Sequence, residues 1–147
     1  MGTVRVGTPD DVHDVMQLAL MGSEENGFVN PNPLKILDDV YAALSRDFGI
    51  MGLIGPPGAL EGAILLRIVS VWYSDDQVIE ERAIYVHPDH RAAVGGRATK
   101  LCSFGKMVAD KLGMPLLIGV LSNTRTEAKM RMYERQFGKR AGSYFLY

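Results

Sequence analysis

IYVHPDHRAAVGGRATKLCSFGKMVADKL, from Ile84 to Leu112, is the stretch whose reading decides the fold. Its left end reads as a strand that stops at His87-Pro88, because proline cannot donate to a β-ladder. Its centre is a basic glycine turn containing Arg91, Gly95, Gly96 and Arg97. Its right end places Ala98, Leu101, Cys102, Gly105, Ala109 and Leu112 on one helical stripe. Lys100, Ser103, Lys106 and Asp110 fall on the other face, and Gly113 stops the helix. A strand, a tight turn and a helix in this order leave unpaired N–H groups at the helix N-terminus, with arginines beside them. Such an arrangement binds anions, phosphates in particular. Neither a Walker order nor G-x-G-x-x-G is present. Cys102 lies on the apolar face, which suits core packing rather than catalysis.

The whole chain bounds what this turn can serve. It has 147 residues, 47% apolar and 22% charged, which fits one globular domain spanning 1–147. Sixteen basic residues against seventeen acidic ones give a formal charge of −1. That balance provides no bulk field for nucleic acid or an anionic membrane, so any basic site must be local. One cysteine excludes an intrachain disulfide framework. Acids near the N-terminus replace the apolar run of a signal peptide, and no run approaches a bilayer span; the expectation is a cytoplasmic protein.

Outward from the central stretch, Thr3–Val6 reads as a short strand. Thr8-Pro9-Asp10-Asp11 starts a helix with Val12, Val15, Met16 and Ala19 as its buried stripe. His13 beside that stripe reads as a surface residue. Gly22–Asn32 reads as a loop, in which Glu24 and Glu25 hint at a cationic substrate. Asn32-Pro33 opens a second helix to about Arg46, with Leu37, Val40, Tyr41 and Leu44 inward. Phe48–Ile54, Ala59–Tyr73 and Gln77–His87 follow as antiparallel strands. Pro115–Leu121 is a continuous apolar run, expected to be buried on both faces and parallel to Gln77–His87 through a right-handed crossover. Thr126 starts a helix to about Phe137, with Met130, Tyr133 and Phe137 on one face, and Ser143–Tyr147 is a final strand. This last strand is apolar enough to pair with another copy, so a homodimer is admitted.

The order β-α-α-β-β-β-α-β-α-β resembles the GCN5-related N-acetyltransferase (GNAT) family. The resemblance is carried by YVHPDHRAAVGGRA, the strand PLLIGVLSN and the segment MYERQFG. Val86, Pro88, Arg91 and Gly96 match the family's V-x-P-x-x-R-x-x-G-x-G/A. Val94 stands where its first glycine usually lies, with Gly95 one place later. The resemblance implies an α/β fold with a splayed central sheet, and acetyl-CoA as co-substrate. It implies that backbone groups of Ala92, Ala93, Val94, Gly95, Gly96 and Arg97 cradle the pyrophosphate. It also implies that Val86 and His87 pair with the pantetheine arm and that Asn123 assists. Tyr133 matches the tyrosine that protonates the leaving thiolate, although packing with Met130 and Phe137 is the plain alternative.

An amine also needs a base. Glu80 and Glu81 lie in the strand beside the cleft and point to opposite faces. Some family members carry a base six places before the matched valine, which is Glu80 here, and Glu81 stands behind it. His87 and His90 lack a third ligand in sequence, so no metal is expected. The expected reaction is acetyl transfer from acetyl-CoA to a small-molecule or peptide amine, by direct attack in a ternary complex. The rivals are a non-catalytic acyl-CoA-binding regulatory domain and a nucleic-acid module on Arg91/Arg97. The second conflicts with the near-neutral charge and the lack of interleaved aromatics.

Overall fold

The computed structural model describes residues 3–91, 96–121 and 125–147. A five-stranded mixed sheet runs in sequence order: β1 (Arg5–Val6), β2 (Gly49–Ile54), β3 (Gly62–Ser70), β4 (Gln77–Val86) and β5 (Leu116–Leu117). All neighbours are antiparallel except β4 and β5. The parallel β4–β5 pair follows from the helix that connects them, α3 (Arg97–Leu112). α1 (Val12–Asn26) and α2 (Pro33–Leu44) cover one face of the sheet. α3 covers the other, and α4 (Thr126–Phe137) lies against α3, with the Lys106 ammonium 5.2 Å from the Phe137 ring centre.

Each face has its own core, as alternation along β2 and β3 requires. Met51, Leu53, Ala63 and Leu65 meet Val15, Leu18, Val40 and Leu44 of α1 and α2. Ile54, Ile64, Leu66 and Ile79 meet Leu101, Phe104 and Val108 of α3. Gly52 permits that second contact. A Cβ there would lie 2.7 Å from Phe104 Cδ1 and 2.8 Å from Val4 Cγ1.

Helix starts follow the sequence signals. The Asn32 side chain accepts from the Leu34 and Lys35 N–H groups, with Pro33 in the first turn. At Thr8 the chain first makes a 3-10 turn, Pro9–Asp11. Asp11 accepts the Thr8 N–H and a two-pronged bond from Arg5. Arg5 is the main reason the Asp11 carboxyl titrates below its usual range.

Five expectations are corrected. Gly22–Asn26 is helical, not loop. Gly22 is a close approach rather than a turn, since a Cβ there would meet the Tyr85 ring at 3.0 Å. The third strand is Gly62–Ser70, which leaves Trp72 and Tyr73 exposed at the hairpin tip. β5 is two residues long and half-exposed, because the sheet ends there and one flank faces solvent. Ser143–Tyr147 forms no strand, and its four large side chains are exposed. Leu112 is also exposed, while Phe104 and Val108 take the inward places on α3.

Candidate functional site

The site begins where β4 and β5 part. Their ladder consists of Ile79 with Leu116 and Glu80 with Leu117, and it goes no further. One residue on, the Glu81 carboxylate enters the widening gap and accepts the Gly119 N–H at 3.3 Å. A bulge sets the direction of Glu81. Leu66 faces Glu81 but Leu65 faces Ala83, so Arg82 is an extra residue in β4. Register with Leu66 puts Glu81 on the α3 face. Register with Arg67, which binds Asp39 of α2, puts Glu80 on the other. There Glu80 forms an ion pair with Arg82 at 2.9 Å, both side chains about two-fifths exposed.

Glu81 shares its surroundings with Cys102 of α3 and Tyr133 of α4. Burial pushes its carboxyl up to about 7, and the charge of Glu80 adds to this, while the Gly119 N–H opposes it. The Tyr133 phenol is driven well above its ordinary value, first by burial and then by the charges of Glu81 and Cys102. Cys102 is fully buried, and burial raises its thiol to about 11. A carboxyl that can exchange a proton near neutrality therefore stands beside a phenol that keeps its own. Such paired, oppositely suited groups are what proton transfer in both directions needs.

At the C-terminal end of β4 lies the glycine turn. Gly96, at φ 55, adopts the left-handed conformation that glycine accepts without strain, and α3 starts at Arg97 with no carboxylate in its first turn. The Arg97 guanidinium donates to Glu61 at 2.7 Å. Arg91 donates from Nε to the Val86 carbonyl at 3.0 Å, and its guanidinium sits 5.1 Å from the Tyr85 ring centre. Val86 is turned away from β3, because His87 supplies the last bond to that side, N–H to the Glu61 carbonyl at 2.7 Å. The His87 ring accepts the Asp89 N–H, and the His90 ring lies 3.9 Å from Glu61. Among the described residues no cluster of side chains could hold a metal. Ala92, Ala93, Val94, Gly95 and Asn123 lie outside the described residues.

Behind the turn is a network not legible in the sequence. Glu25 Oε2 accepts from both the Tyr85 hydroxyl and the Arg91 guanidinium, each at 2.7 Å. These two bonds, Arg91 first, hold the Glu25 carboxyl at about 2. The Lys129 ammonium of α4 donates to Asn26 beside it at 2.7 Å. The end of α1 thus ties together β4, the glycine turn and α4. Glu25, which the sequence left open between a solvated connection and a flap for a cationic substrate, serves this junction; Glu24 is exposed. A carboxyl with a depressed pKa stabilises the fold above its unfolded value near 4.5, and that contribution is lost as pH falls toward 2. Glu25→Gln is expected to lower stability at pH 7 by about 1–3 kcal/mol. It should also flatten the loss of stability between pH 5 and 3, as read by urea titrations across that range. Partners 60 and 66 residues apart leave no spacing signal. Only the paired residue types, an acid near Phe28 and an arginine after His90, were visible.

No protein-family model and no curated protein matches the sequence significantly. Solved structures do. An integron cassette protein from the mobile metagenome of Cole Harbour Salt Marsh superposes with a TM-score of 0.74 at 21% identity, covering 98% of this chain and 88% of that one. The aminoglycoside N-acetyltransferase AAC(6')-Iy, solved with CoA, gives a TM-score of 0.74 at 14% identity over 100% of this chain and 93% of that one. A ribosomal-protein-alanine N-acetyltransferase from Brucella melitensis gives 0.71 at 16% identity over 100% and 98%. With its parted β4 and β5 and its glycine turn at the head of α3, the chain has the fold of the GCN5-related N-acetyltransferases.

Proposed function

We propose that the protein moves an acetyl group from acetyl-CoA to a primary amine by direct attack within a ternary complex. The observation that carries this reading is Glu81, a carboxylate seated in the gap between β4 and β5, titrating near neutrality, with Tyr133 beside it. Glu81 is the base. It takes the proton that the amine nitrogen sheds as the N–C bond forms. Tyr133 is the acid, giving its proton to the sulfur as the C–S bond breaks. Glu80, first choice on sequence position, is engaged by Arg82 on the other face. Cys102 is buried and protonated, so the acetyl group passes straight from sulfur to nitrogen.

The chain's own residues suit the co-substrate. The start of α3, free of acids and headed by a left-handed Gly96, fits a pyrophosphate. Val86, turned from β3, offers its N–H to an extended amide arm, while its carbonyl is held by Arg91. Arg91 and Arg97, held by Glu25 and Glu61, add positive charge beside the turn. A peptide or small-molecule amine remains the acceptor class. Among the described residues no helix is long and apolar enough to cross a membrane.

Acetyl-CoA at a hundredfold excess over its Kd is expected to raise Tm by about 5–10 °C. ATP should do far less, and thiol release should appear with amines from a panel including aminoglycosides and peptide N-termini. A shift with ATP and none with acetyl-CoA removes the proposal. A shift with acetyl-CoA but no acetylated amine leaves a non-catalytic acyl-CoA-binding domain.

A further inference from the structure

A cavity of about 510 Å³ lies between the C-terminal half of α3 and the sheet, at the end opposite the glycine turn. Its floor is Leu66, Ile79 and Phe104, all buried. Its mouth is formed by Phe48, Met107, Arg46 and Lys111, with Asp47 the single acid. The volume falls within the roughly 300–1,000 Å³ of small-molecule sites. An apolar interior with two cations against one anion at the opening matches an amphiphile bearing a negative head. Among the described residues, no ion pair joins Arg46 or Lys111 to a carboxylate.

The wall at Arg46–Phe48 is formed by the chain leaving α2. Arg46 and Phe48 have φ of 60° and 51°, and they are two of three non-glycine residues with positive φ among those described. At Arg46 this is the Schellman end of α2: the Arg46 N–H donates to the Ala43 carbonyl and the Asp47 N–H to the Ala42 carbonyl. The Phe48 carbonyl accepts from the Ile68 N–H and from Arg67 Nε. These bonds fix the backbone on the Arg46–Phe48 side of the mouth.

We infer that this cavity binds a carboxylate with a medium-length alkyl chain, the chain over Leu66, Ile79 and Phe104 and the head between Arg46 and Lys111. The site is separate from the acetyl-transfer gap and does not depend on it.

The test is titration of the full chain with decanoate and with decanol, followed by thermal shift and by displacement of anilinonaphthalene sulfonate. Decanoate is expected to saturate and to bind about tenfold tighter than decanol, the difference expected of charge-assisted bonds. The Arg46→Ala/Lys111→Ala double variant, both positions being at the mouth, should erase that preference. Met107→Trp should block both ligands while leaving the acetyl-CoA thermal shift intact. The inference is overturned by absent saturation, by equal affinity for the two ligands, or by a Met107→Trp protein that folds and still binds. It is equally overturned if removing residues 143–147 markedly tightens decanoate binding, since the exposed C-terminal segment is then the natural occupant.

Discussion

Glu81→Gln is expected to reduce kcat about 10²–10⁴-fold, the range lost with a positioned base. The pH profile distinguishes this from a structural defect. With Glu81 at about 7, wild-type activity should rise with pH through neutrality as the carboxyl deprotonates, and the variant should lack that limb. Stability moves the other way. A carboxyl whose folded pKa is raised leaves the native state holding more protons than the unfolded chain between about 4.5 and 7. Stability therefore falls as pH rises through that window. Glutamine carries no charge, so the variant should match or exceed wild-type Tm at pH 8 while being nearly inactive. Retained activity at pH 8 transfers the base role to another group, with Glu80→Gln as the matched control.

Tyr133→Phe is expected to lower kcat by a comparable 10²–10⁴-fold. It removes one hydroxyl from a ring that packs edge-on to Phe137, centres 6.0 Å apart, and so should preserve the fold. The acetyl-CoA thermal shift should be unchanged, because the ring does not form the glycine turn. Loss should shrink when the thioester is replaced by one whose leaving thiol is more acidic, since such a group departs without a proton. An equal loss with both esters assigns Tyr133 to packing. The two residues are also coupled. Glu81's negative charge helps keep the Tyr133 proton in place. Once Glu81 is protonated, that restraint ends and the phenol becomes the better acid.

Local signals in the chain were readable where local physics decides. Asn32-Pro33 marked α2 because the cap is made by neighbours two and three residues away. Val15, Val40, Leu44, Leu101 and Cys102 fell on the inward stripes their spacing predicts. Long-range contacts decided the remainder. α1 continues through Gly22–Asn26 because Tyr85 needs a glycine against its ring and because Arg91 and Lys129 grip its end. The inward place of Phe104 on α3 depends on Gly52, 52 residues away, which no local spacing shows. β5 looked like a doubly buried strand, since apolar content cannot reveal that the ladder ends after two pairs. For the site, the tyrosine, both glutamates and the turn's arginines were visible by type and position. Which glutamate faces the phenol was not, because nothing in Glu80-Glu81-Arg82 announces an extra residue in the strand.

That extra residue has a consequence for how one strand serves two neighbourhoods. Glu81 and Tyr85 are four apart, an even number, and in an unbroken strand they would share a side. With Arg82 inserted they look in opposite directions, Glu81 toward Cys102 and Tyr133, Tyr85 toward Glu25. The strand thus changes parity midway. Excising Arg82 would make the two ends incompatible: either the carboxylate or the tyrosine must abandon its partners. The proton-handling side and the bracing side of the molecule are kept apart by a count of one.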